Sequence, residues 1–538
     1  MSFLPIVERE LRIRSRRRST YRFRQGGALI AIVVVGFALV GSGGFVGPGA
    51  SGGTLFAILA WMVFIACLLE GARNTADCLS EEKRAGTLGL LFLTDLKGYD
   101  VVLGKLMATS LNSFYSLLAI FPPLAMPLLL GGVTAGEFWR LVLLLTNTLF
   151  FALAIGMFVS AISRNERKAW SSTLVLIGLL AIVPPSLEAA NLSWFSGLSP
   201  LSPTTALISL FDAVYASAPE TYWASLWTVH GLSWLFLGLA SYLLPRTWQD
   251  IPKGIEGSWI RGLLGRWRRS DAFNARRQRN RLLQLNPVLW LAGRHEEQQF
   301  YLWLLVGLSG GTAIISWLIA PGAEEVALTI FSCGLVLHFL LAIWMASEAS
   351  YLFAEARDSG AFELLFSTPL TAQDILAGHY LALRKLFQGP VTALLGVECL
   401  ILAGHLILLR ATGDHLFEGL LTATAAGLCV TMFILDLHAA GRFGMWMGLT
   451  SKKPSQALTK TVLFVLVLPL LTIFCCGFVW PVMAIVKDLI FINYADDQLR
   501  RRLRVEITRR LAGVAEDPAW RGTPSLRPKS QLPPVIEN

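Results

Sequence analysis

The sequence predicts an all-α polytopic membrane protein, two tandem six-helix transmembrane bundles with about 12 spans in total. Three observations carry this. Of 538 residues, 54% are apolar and 15% charged, where a soluble domain carries about 25% charge. The charges fall between apolar runs, each close to the roughly 20 residues that a helix needs to cross the hydrocarbon core of a bilayer. A stretch of sequence from the first half also recurs in the second.

Apolar runs place spans at residues 28–47, 54–72, 107–130, 139–162, 171–187 and 223–244, then 301–320, 326–347, 387–409 and 417–440. The stretch 461–492 is long for one span and short for two, with Cys475-Cys476-Gly477 at its middle between Pro469 and Pro481. Charge favours a hairpin. All but Arg140 and Arg410 of the 46 Lys and Arg then fall on one side, which the positive-inside rule makes cytoplasmic, together with both termini. A single helix would export the basic tail, including Arg500, Arg501, Arg502 and Arg504. The first run follows an arginine cluster as a secretion signal would, but its length and the lack of a small-x-small site predict that it is retained. The expected location is the cell (inner) membrane. Seven cysteines lie mostly inside apolar runs without paired-ligand spacing and read as packing residues.

Residues 81–104 align without a gap on residues 355–378 at a constant offset of 274. Glu81, Gly86, Leu90, Leu91, Phe92, Thr94, Leu96, Asp100 and Gly104 recur as Glu355, Gly360, Leu364, Leu365, Phe366, Thr368, Leu370, Asp374 and Gly378. Each copy lies between the second and third spans of its half. Because each half holds an even number of spans, the two enter from the same side and form parallel repeats about an axis along the membrane normal. The expected organisation is a first half at 1–245, a basic linker at 246–285, a second half at 286–495 and a tail at 496–538. The linker interleaves basic residues with Trp248, Trp259 and Trp267. That composition also occurs in nucleic-acid binders, but beside a membrane it favours anionic headgroups, at about 1 kcal/mol per Lys or Arg, and no nucleic-acid partner is expected. The N-terminal segment, with Ile6, Leu11 and Ile13 among arginines, reads as an interfacial helix.

The order of features in the repeat is specific: charged residues, Gly-Thr-Leu, a leucine-rich stretch, Thr-Pro-Leu, then Asp-Ile-Leu and Gly before the third span. It resembles the corresponding loop of type-2 ATP-binding-cassette exporter permeases, and the likeness covers roughly 1–245 and 286–495. The resemblance implies two permease halves fused in one chain, an elbow helix at the N-terminus and a coupling helix in each of the loops 77–105 and 350–380. It makes Glu81, Gly86, Thr94, Leu96, Asp100, Glu355, Gly360, Thr368, Pro369, Leu370 and Asp374 the residues on which an ATPase docks. The first copy departs at Gly89 and Asp95, where the second has Glu363 and Pro369. Two copies of a separate ATPase are implied, with rigid-body rocking of the bundles passed through the loops. ATP and Mg belong to that partner and this chain holds no cofactor. No G-x-x-x-x-G-K-[ST] run occurs, since Gly104-Lys105 is followed by Leu106.

No catalytic or metal-binding motif is present in the sequence. Ionisable groups inside spans are functional candidates by default. Glu398 and His405 are seven apart in the ninth span, and Asp436 and His438 lie near the end of the tenth. Glu398, His405 and Asp436 are the candidate polar residues of a translocation path, with hydrogen bonding between helices as the plainer reading. Glu70, Arg73 and Glu348 lie near the ends of second spans, and His230 and His338, alone in apolar runs, read as packed. Two other functions fit parts of the chain: a gradient-driven secondary transporter using these groups, and a membrane anchor or assembly scaffold. The duplicated loop favours the ATP-driven exporter, because a gradient-driven carrier has no use for two docking helices.

Overall fold

The computed structural model describes residues 48–93, 96–189, 196–247, 272–293, 296–319, 324–411, 416–467 and 480–515. The expected first span and elbow helix, most of the linker, Thr94, Asp95 and the Cys475-Cys476 pair lie outside the described residues. Among those described there is no strand, and nine helices are long and apolar enough to cross a membrane.

The first half contains α1 (Pro48–Thr75), α2 (Cys78–Arg84), α3 (Thr87–Phe92), α4 (Gly98–Leu130), α5 (Ala135–Ile162) and α6 (Glu166–Ala189). A 3-10 turn (Ser196–Leu201), α7 (Pro203–Ser209) and α8 (Asp212–Tyr215) lead to α9 (Pro219–Thr247). Next come α10 (Ala272–Leu285), which with Arg246 and Thr247 at the end of α9 is what is described of the linker, and α11 (Pro287–Ala292). The second half continues with α12 (Glu296–Ile319), α13 (Glu324–Asp358), α14 (Ala361–Phe366), α15 (Ala372–Ala411) and α16 (Leu416–Thr450). The second to tenth expected spans thus map in order on α1, α4, α5, α6, α9, α12, α13, α15 and α16.

In each half the second span packs along the fourth, α1 on α5 and α13 on α16. Lipid gives helices no hydrophobic reason to associate, so close backbone approach through small residues drives such contacts. A Cβ on Gly156 would stand 2.0 Å from Thr75 Oγ1, and one on Gly444 would stand 3.0 Å from the Ala349 Cβ. Thr75 and Ala349 are related by the 274 offset, so the crossing point is built twice.

The halves meet through α6, which packs on α12 and α13. Pro184 and Pro185 interrupt α6 near its end, and a proline leaves the carbonyl four residues earlier without its donor. Ser202 Oγ donates to Ala181 O at 3.1 Å and fills the vacancy that Pro185 leaves. Ser186 Oγ donates to Thr312 Oγ1 at 2.9 Å across the boundary, and Ser316 Oγ donates back to Ser186 O. At the other end of α6, Arg167 lies 2.8 Å from Glu355 and 3.7 Å from Glu348, while Tyr351 donates to Glu166 at 2.7 Å.

The last stretch forms two helical segments, α17 (Pro454–Thr461) running on as a π-helix (Val462–Val467), and α18 (Trp480–Ala515). Lys487 Nζ donates to Val465 O at 2.8 Å. Along one straight helix these residues would stand about 33 Å apart, so the segments lie side by side, as a hairpin requires. The same ammonium lies 2.7 Å from Asp436 and 2.7 Å from Asp488. Lys487 therefore belongs inside the hairpin and not with the basic tail. α18 itself runs unbroken across position 495 to Ala515.

On the side opposite the duplicated loops, Arg140 meets Asp212, donates to Leu210 O at 2.9 Å and covers the Tyr215 ring at 3.9 Å. Burial works against the Asp212 charge, but hydrogen bonds from Thr134 and Arg140 outweigh it and hold the carboxyl below its ordinary range. An arginine that the charge count leaves on the far side is thus committed to fastening α8 to α5.

Replacing Lys487 with Met is expected to destabilise the protein by about 3 kcal/mol or more, since it strands Asp436 and the fully buried Asp488. Thermal unfolding in detergent measures this. Adding Asp436→Asn should recover part of the loss, and equal melting of wild type and Lys487→Met would refute the assignment.

Candidate coupling site

The repeat in sequence is a repeat in structure. Gly86 precedes α3 with φ 70° and Gly360 precedes α14 with φ 72°, a left-handed conformation that only glycine adopts without strain. Each begins a six-residue helix, Thr87–Phe92 and Ala361–Phe366. The helix buries one residue, Leu88 or Phe362, and exposes another two positions later, Leu90 at 64% or Leu364 at 71%.

Asp100 and Asp374 start the next helix. Lys97 N donates to Asp100 Oδ2 at 3.1 Å, and Thr371 N to Asp374 Oδ2 at 3.0 Å. In the second copy Asp374 N returns a bond to Thr371 Oγ1 at 3.1 Å, which completes a reciprocal capping box. Leu96 and Leu370 are half-buried against the core. These expected docking residues therefore build the loop. Glu81, Thr368 and Pro369 are exposed, and Thr368 Oγ1 turns back to Leu365 O at 2.5 Å. Glu355 is taken by Arg167 of the first half. The exposed residues include Glu81, Leu90 and Leu93 in one copy, and Leu364, Ser367, Thr368 and Pro369 in the other.

The loops are fastened by different chemistry. In the first, Lys105 of α4 lies 2.6 Å from Glu82. At the offset these positions are His379 and Ala356, and the second loop relies on rings. Phe353 and Phe362 have centroids 5.4 Å apart, with His379 at 5.1 and 5.7 Å from them. Arg504 of α18 covers Phe366 at 5.4 Å.

A pair that a search for identities misses connects each loop to its bundle. Lys83 Nζ donates to Ala161 O, at the C-terminal end of α5, and to Thr247 Oγ1 at 2.9 Å. Arg357, at the same position in the repeat, donates to Gly448 O at 2.7 Å, Leu449 O at 3.3 Å and Ser451 O at 2.5 Å, at the C-terminal end of α16. The last carbonyls of a helix have no partner within it and carry the negative end of its dipole, so a buried cation is suited to both. The available signal was two basic residues in register at the offset of 274, similar without being identical.

Of the candidate path residues, Glu398 lies 2.8 Å from His338 of α13 and Asp436 pairs with Lys487. Glu398 therefore has its partner across spans, while His405 lies two turns further along α15. His230 is packed as expected, 3.0 Å from Asn147 Oδ1, with Trp234 Nε1 donating to it at 3.1 Å. Arg73 is paired with Glu70.

Residues 53–247, from the second span of the first half to the end of its sixth, match the family model for ABC-2 family transporter proteins. Over that stretch the chain is similar to ABC-2 family transporter proteins. No curated protein matches the chain. The matched stretch contains the first of the two loops and its Lys83 link, and together with the nine long apolar helices among the described residues it supports a multi-pass membrane transport protein.

Replacing Lys83 or Arg357 with Met should leave the exposed residues of the loops in place but loosen the last turn of the helix that each grips. Hydrogen exchange in the final turns of α5 and α16 should rise, each in its own variant, with a stability loss of about 1 to 3 kcal/mol in Arg357→Met for the unsatisfied carbonyls and a smaller loss in Lys83→Met, where Thr247 Oγ1 still donates to Ala161 O at 2.8 Å. Unchanged exchange in both would show that the links carry no load.

Proposed function

We infer that this chain carries both permease halves of an ATP-driven exporter, with a separate ATPase docking beneath each loop. The observation that carries the reading is the double construction at 86–100 and 360–374: left-handed glycine, short helix with one leucine turned outward, capped third span, and basic grip on the fourth. A six-residue helix with one apolar face buried and another exposed fits a groove on a partner. The match to an ABC-2 transporter domain supports the first half of this reading, and the second half rests on the repeat.

On this reading the loops and both termini are cytoplasmic and the membrane is the inner membrane. ATP and Mg are held by the partner. Closure of two ATPases on ATP pulls Lys83 and Arg357, and through them the ends of the fourth and tenth spans, as rigid-body motion. Anionic headgroups meet the basic linker and the tail.

The test is co-purification with a separate ATP-binding-cassette ATPase subunit. Leu90→Asp and Leu364→Asp should each weaken docking at least roughly tenfold, as expected for losing a buried leucine worth about 1.5 to 3 kcal/mol. Both side chains are exposed, so melting of the chain alone should not change. Undiminished co-purification and ATPase stimulation in the double variant would sink the docking assignment.

A further inference from the structure

The two halves share their loops but not the chemistry of their interiors. At the offset of 274, Phe64 and Leu124 of the first half correspond to His338 and Glu398 of the second. Phe64 and Leu124 are core residues, each 1% exposed. In the second half the same positions face each other as an ionisable pair, His338 Nε2 2.8 Å from Glu398 Oε1, with side chains 12% and 26% exposed. The imidazole is stacked on Phe433 of α16, with centroids 4.0 Å apart and planes 9° from parallel. Three spans thus converge on one carboxylate and one imidazole.

Residue 398 is the centre of the apolar run 387–409, and 338 lies near the centre of 326–347. That is the depth at which an ionised side chain is most costly and is found in proton relays and substrate paths. The surrounding elements leave this pair to itself. Cys429 on α16 is within electrostatic reach of Glu398. Asp436 on α16 and Asp488 on α18 are taken by Lys487, Glu348 on α13 faces Arg167, and His438 Nδ1 is 2.7 Å from Ile434 O. His405 stands two turns beyond Glu398 on α15.

We propose that His338 and Glu398 form a proton-binding site in the second bundle, which takes up one proton per chain. With the imidazole neutral and the carboxylate ionised the pair carries one negative charge. A proton from water, added to either group and shared by the two, brings the charge to zero with no other bond made or broken, and the proton belongs to the pair rather than to one residue. A neutral pair suits a closed bilayer interior, and an ionised one suits a water-filled path. Opening and closing the second bundle therefore moves a proton, and the first bundle has Phe64 and Leu124 where this pair would stand.

The experiment is an infrared difference titration of the full chain in phosphatidylethanolamine and phosphatidylglycerol vesicles, over roughly pH 5 to 8, where an imidazole changes charge. The carboxylic C=O band and the imidazole ring bands should titrate together in the wild type. Both should be lost in H338F/E398L, and the carboxylic component should be lost in E398Q. H338F/E398L gives the second half the pair that packs as core in the first, so it is expected to fold, and its melting temperature verifies this. Coupled bands that persist in folded H338F/E398L, or a wild type without them, would overturn the proposal. No ATPase enters the measurement, so it fails or stands apart from the docking assignment.

Discussion

A helix that ends at the face of a membrane leaves carbonyls that lipid cannot satisfy, and here one basic side chain per half takes them. Lys83 reaches Ala161 O, and Arg357 reaches Gly448, Leu449 and Ser451. Each lies in the segment leading into the short exposed helix, so the same bonds that finish the fourth and tenth spans fix the loops to the bundles. Any force on the loop reaches the membrane through a charge-assisted contact with helix ends, and the close glycine crossings beneath it, Gly156 on Thr75 and Gly444 on Ala349, leave no slack to absorb the motion.

Much of this was legible in the sequence. Apolar length located the spans, and counting charges chose the hairpin that the bond from Lys487 to Val465 requires. The repeat located both loops to the residue. The division of labour inside them was not legible, because identity at a fixed offset does not distinguish a residue that caps, as Asp100 and Asp374 do, from one that faces a partner, as Leu90 and Leu364 do. Lys83 and Arg357 escaped because similarity was not counted. The partner of Glu398 escaped for a deeper reason. Periodicity reports which residues share a face of one helix, here Glu398 and His405, and is silent about the neighbouring helix that brings His338.

Duplication has kept geometry while releasing chemistry. The loops fold alike, but an ion pair of Lys105 and Glu82 holds one and a group of Phe353, Phe362 and His379 holds the other. The bundles likewise retain the packing of second span on fourth, while Asp436, Lys487 and Asp488 are brought together only in the second. A backbone arrangement specified by glycines, caps and helix ends tolerates such exchange, because these devices act on the main chain and place few demands on the side chains around them.

The length of α18 has its own consequence. At 36 residues and 1.5 Å for each it measures about 54 Å, well beyond a hydrocarbon thickness of about 30 Å, and its Arg504 lies over Phe366 of the second loop. In the first half the corresponding grip is the bond from Lys83 to Thr247 of α9. A motor mounted below the second loop would therefore find a helical post standing beside its seat, a fixed guide contributed by the chain it drives.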